Sequence, residues 1–156
     1  MSFLSLSTDP VTEAYPDQPL AVSVDSTVGE VIELMRAQRG SCVLVCADDD
    51  CQGKVLGIFT ERDALRWMAQ GAAAQIGIRD WMTANPTVID AKSSVGSAIQ
   101  AMSAGGYRHL PIVDETGTPK SVISVRGLVH YLVDHFPNTI YTLPPEPGKT
   151  YDREGA

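Results

Sequence analysis

One segment of the chain combines a hydroxyl and a carboxylate at a spacing suited to binding a phosphorylated ligand. It reads Gly57-Ile58-Phe59-Thr60-Glu61-Arg62-Asp63, where an apolar strand pattern gives way to a helical one. The first turn of a helix exposes unpaired N–H groups at the positive end of its dipole, which favours a phosphate. Thr60 can offer its hydroxyl to that anion, and Asp63, one turn further on, can accept hydrogen bonds from a ribose diol. The same Thr60-x-x-Asp63 spacing also fits a capping box, in which the two side chains only close the helix end.

The three cysteines, Cys42, Cys46 and Cys51, lie within ten residues, and no second Cys or His cluster completes a zinc pattern. Cys42 and Cys46 stand at even spacing in an apolar strand, so they face the same side of it. An odd number of cysteines, with no secretory signal pattern at the N-terminus, indicates a reducing cytoplasm. We therefore expect buried thiols that act as small apolar side chains, with redox sensing or soft-metal capture as alternatives.

The elements that must position these residues occur twice. A shift of 67 positions places Ser26-Thr27-Val28-Gly29 on Ser93-Ser94-Val95-Gly96. After a connection three residues shorter in the second copy, Gly57-Ile58-Phe59-Thr60 aligns with Ser121-Val122-Ile123-Ser124. This similarity predicts a duplicated unit. The predicted divisions are an N-terminal extension (1–10), a first repeat (11–70), a linker (71–77), a second repeat (78–136) and a flexible C-terminal tail (137–156).

Hydrophobic periodicity assigns the same order of elements, β-α-β-β-α, to both copies. The first helix carries an apolar stripe at i, i+3, i+4 and i+7, begins at the capping box Thr27-Val28-Gly29-Glu30 and has a plausible end at Gly40. In the second helix, over 61–69, we expect Ala64, Leu65 and Met68 to face the core. About 60 residues make only a marginal core, so the two units are predicted to pack together as a pseudo-twofold α+β pair.

Composition excludes several classes of protein. Hydrophobic residues make up 44% of the chain, too many for a disordered protein, and no apolar run is long enough to span a membrane. The net charge of −7 argues against nucleic-acid binding through bulk positive charge. There is no nucleophile elbow, Walker loop or metal-binding pair of histidines, so we do not expect an enzyme or a catalytic cofactor.

In combination, these features resemble the tandem cystathionine beta-synthase (CBS) domain family, whose paired repeats are also called a Bateman module. The resemblance covers about residues 11–136 and rests on the paired units, on 57–63, on the 105–114 stretch Gly-Gly-Tyr-Arg-His-Leu-Pro-Ile-Val-Asp, and on Ile78-Arg79-Asp80-Trp81-Met82-Thr83. It implies regulatory binding of an adenine nucleotide (AMP, ADP, ATP or S-adenosylmethionine) in a cleft between the repeats.

The family pattern Gly-h-h-Thr/Ser-x-x-Asp, with h hydrophobic, implies that Thr60 lies near the phosphates and that Asp63 holds the ribose. Basic residues of the opposite repeat often surround the phosphate in this family, which implies roles for Arg108, His109 and Arg126. These three side chains have another reading, as solvated groups at a helix-to-strand corner or in a surface ion pair.

Adenine is usually held in this family by strand backbone and apolar side chains, for which Val43 and Ile58 are the matching residues. The second repeat departs from the pattern, because Ser124 keeps the hydroxyl but Gly127 replaces the ribose-binding Asp. We therefore expect one good nucleotide site in each chain.

The resulting prediction is a cytoplasmic, non-catalytic regulatory module that signals or senses energy state through a bound adenine nucleotide and acts on a partner protein in trans. The alternative is a dimeric interaction module whose clefts are vestigial, and a nucleotide hydrolase is a third reading without an identifiable base or metal. Each repeat carries more apolar helix surface than its sheet can cover, and family members often dimerise through such helices, so we expect a homodimer.

Overall fold

The computed structural model describes residues 4–135, and within them each repeat forms its own small sheet. The first half contains α1 (Leu4–Thr8), β1 (Ala21–Ser23), α2 (Val28–Gln38), β2 (Cys42–Cys46), β3 (Gly57–Thr60) and α3 (Glu61–Gln70). The second half contains β4 (Thr83–Ala84), β5 (Ile89–Asp90), α4 (Val95–Gly105), β6 (His109–Val113), β7 (Pro119–Ser124) and α5 (Val125–His135). This order confirms the predicted α+β fold with two β-α-β-β-α units. The tail predicted over 137–156 lies outside the described residues.

Each sheet is completed by the N-terminal segment of the other repeat. In the first sheet β1 runs parallel to β2, β2 is antiparallel to β3, and β4, from the start of the second repeat, pairs with β3. In the second sheet β5 is parallel to β6 and β6 is antiparallel to β7. There Asp17, from the start of the first repeat, forms an antiparallel bridge with Val122 of β7.

The hydrophobic cores are exchanged in the same way. Ile78 and Trp81, at the start of the second repeat, are buried in the first core against Phe59 and its neighbours. Val11 and Ala14 are buried in the second core, with the sheet residues of the second repeat. Burying apolar surface is the main favourable term in folding, and here each core contains side chains from both repeats. The two repeats are therefore coupled by their cores as well as by their contact surface.

The two sheets meet through one face of β2. Its alternate side chains Cys42, Leu44 and Cys46 point away from the first core and share an apolar cluster with Val122 of β7. This arrangement confirms that Cys42 and Cys46 face the same side of their strand.

The ends of α2 show how local sequence sets the elements. The predicted capping box is present, because Glu30 Oε2 accepts from the Thr27 N–H at 2.8 Å and Thr27 Oγ1 accepts from the Glu30 N–H at 3.3 Å. The helix ends at Gln38, and its C-cap residue Arg39 takes the left-handed conformation with φ 52°, one residue before the predicted stop at Gly40.

The predicted inward face of α3 is confirmed for Ala64 but wrong for Leu65 and Met68. Leu65 and Met68 are 64% and 56% exposed, and the helix packs instead through Asp63, Ala64 and Trp67. Asp63, Ala64 and Trp67, at i, i+1 and i+4, lie on one side of the helix, so a helix packed through this side turns Leu65 and Met68 to solvent. Among the described residues, no helix combines the length and apolar character needed to cross a membrane.

Candidate functional site

A cavity of about 440 Å³ opens where β3 runs into α3. Its walls come from three segments that the fold brings together: the β3–α3 junction, the stretch around β4, and the α4–β6 corner of the second repeat. The lining consists of Ile58, Thr60, Glu61, Arg62, Asp63, Thr83, Ala84, Asn85, Pro86, Thr87, Gly105, Gly106, Tyr107, Arg108 and His109. We refer to it as the first cavity. The volume lies in the range of roughly 300–1,000 Å³ that is usual for small-molecule sites.

The Asp63 carboxylate sits at the helix end of this cavity and is only 7% exposed. Its Oδ2 atom accepts from the Thr60 N–H at 2.9 Å and from the Thr60 hydroxyl at 3.1 Å, and its Oδ1 atom lies 3.5 Å from an Arg66 guanidinium nitrogen. The capping interpretation of this pair is therefore realised. A carboxylate has about four acceptor positions, so capping leaves capacity for further donors such as ribose hydroxyls.

Across the cavity, Arg108 and His109 approach from the second repeat. The His109 Nε2 atom is hydrogen-bonded to Ser41 Oγ at 2.8 Å. Burial is the main cause that lowers the pKa of His109, against the opposing influence of Glu61 and Asp17. The ring is thus neutral near pH 7, so the positive charge in the lining of the first cavity comes from Arg62 and Arg108.

A second cavity of about 890 Å³ lies at the matching position of the second repeat. It is lined by Asp17, Gln18, Leu20, Gln38, Arg39, Gly40, Ser41, Cys42, Glu61, Arg108, His109, Val122, Ser124, Val125 and Arg126. Three side chains, Glu61, Arg108 and His109, line both cavities. The two cavities are therefore neighbours across a shared wall.

The second cavity has no counterpart of Asp63 because the space is filled. A Cβ atom on Gly127 would lie 2.6 Å from the Ala14 carbonyl oxygen and 2.9 Å from that of Tyr15. Those are backbone atoms of the segment that completes the second core, so they cannot move aside easily. Ser124 keeps its capping role, since its Oγ atom accepts from the Gly127 N–H at 3.2 Å.

A protein-family model for the CBS domain matches this chain twice, over residues 8–70 and 78–134. The chain belongs to the CBS domain family.

This CBS pair is similar in sequence to parts of longer proteins. The chain is 37% identical over 109 residues to the meiotically up-regulated gene 70 protein of Schizosaccharomyces pombe, and 30% identical over 114 residues to an uncharacterized 17.7 kDa protein of Acidianus ambivalens. Those matches cover 69% and 72% of this chain, but only 14% and 66% of the respective relatives. Among solved structures, a CBS domain protein of Pyrobaculum aerophilum complexed with AMP superposes with a TM-score of 0.70, at 20% identity, over 80% of this chain and 98% of that one.

The CBS fold brings five of the seven residues implied by the resemblance to the first cavity: Ile58, Thr60, Asp63, Arg108 and His109. Arg126 lines the second cavity instead. Val43 is fully buried in the first core and is not part of either lining, because it lies on the face of β2 turned toward α2. Sequence reasoning had no assigned role for Tyr107, which lines the first cavity between the Gly105-Gly106 pair and Arg108. In the sequence, the feature that could have indicated this position is the glycine pair directly before an aromatic residue.

The cysteines of this CBS pair divide into two kinds. Cys46 and Cys51 are joined by a disulfide, with Cα atoms 5.3 Å apart, so the expectation of buried free thiols is wrong for these two. The loop between them folds back on β2, and this brings Cys51 onto the strand. Cys42 is a free, buried thiol in the lining of the second cavity, and burial raises its pKa to about 12. That thiol is protonated at neutral pH and therefore a poor nucleophile.

Within residues 4–135 no group of three His, Cys, Asp or Glu side chains is placed to hold a metal ion.

Proposed function

We propose that this CBS pair is a non-catalytic regulatory module that binds one adenine nucleotide in the first cavity. The observation that carries the proposal is the meeting of Thr60 and Asp63, at the start of α3, with Arg108 of the other repeat in one cavity of nucleotide size. Asp63 accepts hydrogen bonds from the ribose hydroxyls. Thr60, the positive end of the α3 dipole and Arg108 hold the phosphate, since charge-assisted hydrogen bonds are the stronger kind.

The same reasoning gives one nucleotide for each chain. The second cavity has cations in Arg39, Arg108 and Arg126, but no carboxylate can stand at Gly127 to receive a ribose. The AMP complex of the Pyrobaculum aerophilum protein supports AMP as the first ligand to test.

We further propose that the module is a homodimer and transmits its occupancy to a partner protein in trans from the cytoplasm. Leu65 and Met68 of α3 and Val125 and Val129 of α5 are large apolar side chains that these two helices leave exposed. Leu65 and Val129 occupy equivalent positions in the two repeats, so the pseudo-twofold pair presents matching apolar surfaces. A second copy of the chain can cover both at once through a symmetric interface.

Isothermal titration calorimetry with AMP, ATP and S-adenosylmethionine tests the nucleotide proposal directly. We expect saturable binding of at least one of them at one molecule for each chain, and a higher melting temperature in its presence, because a ligand of the folded state stabilises it by mass action. Two equivalent sites for each chain would contradict the role of Gly127. No binding of any adenine nucleotide would favour the interaction module with vestigial clefts.

A further inference from the structure

A disulfide closes the loop that follows β2. Cys46 is the last residue of β2, and Cys51 lies five positions further along, in the connection to β3. Cys51 takes the left-handed backbone conformation with φ 46°, which residues other than glycine rarely adopt. Both cysteines are buried, although residues 47–50 between them are exposed. The cross-link therefore holds a solvent-exposed loop in a fixed conformation against the strand.

The disulfide belongs to the buried apolar cluster between the two sheets. Ile58, a member of this cluster, also lines the first cavity, whereas Cys42 and Val122 line the second. Protein interiors are close-packed, so a change in the packing of one member is felt by its neighbours. The oxidation state of the pair is therefore connected to the walls of both cavities. The cluster consists of Cys42, Leu44, Cys46, Cys51, Val55, Ile58 and Val122.

The loop that the disulfide closes also forms hydrogen bonds to both repeats. The Asp49 Oδ1 atom accepts from the Ser23 N–H of β1 at 2.7 Å. The Gln52 carbonyl oxygen accepts from the hydroxyl of Thr118, a buried residue directly before β7, at 3.0 Å. Both bonds depend on the position of the loop. Opening the disulfide therefore loosens one contact within the first repeat and one contact between the repeats.

The second repeat closes the matching connection without sulfur. The shift of 67 positions aligns Cys46 with Val113, and the connection to β7 follows directly. There the Asp114 Oδ1 atom accepts from the N–H groups of Thr116 and Thr118 at 2.9 and 3.0 Å. Those hydrogen bonds do not change with the oxidation state of a thiol. The sensitivity to thiol chemistry is thus confined to the first repeat.

The third cysteine does not exchange with the pair. Cys42 precedes Cys46 by four positions on an extended strand, which separates their Cα atoms by about 13 Å at ~3.3 Å for each residue. Burial raises the pKa of Cys42 to about 12, and the thiolate is the form that attacks a disulfide. Reduction of the pair therefore needs an external thiol.

A small thiol such as glutathione supplies the electrons for this reduction. Its thiolate attacks one sulfur atom of the pair and forms a mixed disulfide, and the other cysteine leaves as a thiolate that takes up a proton. A second small thiol then displaces the first one from the protein. In total, two small thiols give two electrons and two protons to the pair and become one small-molecule disulfide. Local opening of the exposed loop gives access to the buried sulfur atoms.

We propose that Cys46 and Cys51 form a reversible redox site, and that the disulfide form binds the ligand of the first cavity more tightly than the dithiol form. In the cytoplasm, disulfides are usually transient and belong to catalysis or redox sensing. The coupling rests on the proposed function, since a nucleotide is the ligand whose affinity changes. Linkage is reciprocal, so a ligand that prefers the disulfide form makes the pair harder to reduce by the same factor.

Equilibration of the full chain in a series of glutathione buffers, followed by alkylation and mass spectrometry, tests the redox site. Cys46 and Cys51 should be reduced together in a single two-electron transition, while Cys42 stays a thiol throughout. A pair that keeps the same oxidation state across the whole series would overturn the redox site.

Calorimetry with AMP, on the oxidised protein and on protein reduced with dithiothreitol, tests the coupling. Reduction should lower the affinity for AMP by at least about fivefold. Saturating AMP should lower the midpoint potential of the pair by about 20 mV, which is the same factor for a two-electron couple. The double variant Cys46→Ala/Cys51→Ala is the matched control, because it should bind AMP equally with and without dithiothreitol.

The remaining outcomes separate this inference from the proposed function. Equal AMP affinity of the oxidised and reduced proteins would show that the disulfide has a structural role alone, and would overturn the inference. A dithiothreitol effect of the same size in the double variant would also overturn it. Absence of AMP binding in both forms would overturn the proposed function together with the coupling, and the alkylation result would stand by itself. Thermal melts without AMP identify a temperature at which both forms are folded, and the calorimetry is done there.

Discussion

Asp63→Asn separates ribose binding from helix capping, because the structure shows that this carboxylate already performs the second role. The substitution keeps the size of the side chain and one carbonyl oxygen, which can still accept the Thr60 N–H bond. It removes the negative charge, the pairing with Arg66 at 3.5 Å and half of the acceptor capacity.

The expected loss of stability follows from those contacts. Losing a cap costs about 0.5–2 kcal/mol, and the Arg66 pair adds little because the Arg66 side chain is half exposed. A retained N–H bond places the total near the lower end of that range. Hydrogen bonds to a charged acceptor contribute about 1.5–3 kcal/mol each, so weakening the bonds to two ribose hydroxyls should lower AMP affinity by at least about tenfold.

The chain offers a matched control in Glu30→Gln. Glu30 caps α2 through the same pair of bonds, from the Thr27 N–H at 2.8 Å and the Thr27 hydroxyl at 3.1 Å, and it lines neither cavity. Urea denaturation should show a comparable fall in the free energy of unfolding for both variants. Calorimetry should show weaker AMP binding for Asp63→Asn alone.

Comparing AMP with 2′-deoxy-AMP makes the assay specific for the sugar. Wild-type protein should prefer AMP, and this preference should shrink in Asp63→Asn because the acceptor of the 2′-hydroxyl is weakened. An Asp63→Asn protein that is folded and keeps both its AMP affinity and its preference for the ribose form would refute the ribose assignment. Asp63 would then be a capping residue only.

Three further predictions concern other parts of the chain. Gly127→Ala should lower the free energy of unfolding by about 1–3 kcal/mol in urea melts, because the new Cβ atom would meet backbone oxygens at 2.6 and 2.9 Å. The control Gly53→Ala, whose Cβ atom would have nothing within 4 Å, should be nearly neutral. Equal effects of the two substitutions would contradict the conclusion that backbone atoms fill the space beside Gly127. Burial lowers the pKa of His109, so near pH 6.5 the unfolded chain gains a proton that the folded chain does not. The free energy of unfolding should therefore fall as pH is lowered from 7 to 5. In the His109→Gln variant it should fall less steeply. Leu65→Glu should convert the proposed homodimer to monomer in light scattering, and a wild-type monomer would refute the interface.

The duplication and the order of its elements were predictable from the sequence because they depend on local and periodic signals. Capping residues and turn glycines determine the conformation of residues within a few positions of them, as the Thr27–Glu30 capping box shows. A stripe of apolar residues at helical spacing likewise indicates a helix with one buried face. The strand-to-helix junction at Thr60 and Asp63 belongs to the same class, since both its possible roles depend on one helical turn. Five of the seven implied site residues, Thr60 and Asp63 among them, lie near this junction or at the corner that faces it.

Only the tertiary structure decided which surfaces these elements turn inward and which residues share a cavity. Leu65 fits an inward helical stripe by spacing, yet α3 packs through the side that carries Asp63 and leaves Leu65 exposed. Val43 lies on an apolar strand with two faces, and the pairing of the repeats determined that its face belongs to the core. The sequence shows only that Gly127 stands where the other repeat has a carboxylate. The backbone at Ala14, more than a hundred residues away in the chain, is what disfavours a side chain there. Such long-range contacts depend on how the two repeats exchange their flanking segments, and no pattern within a single repeat records that exchange.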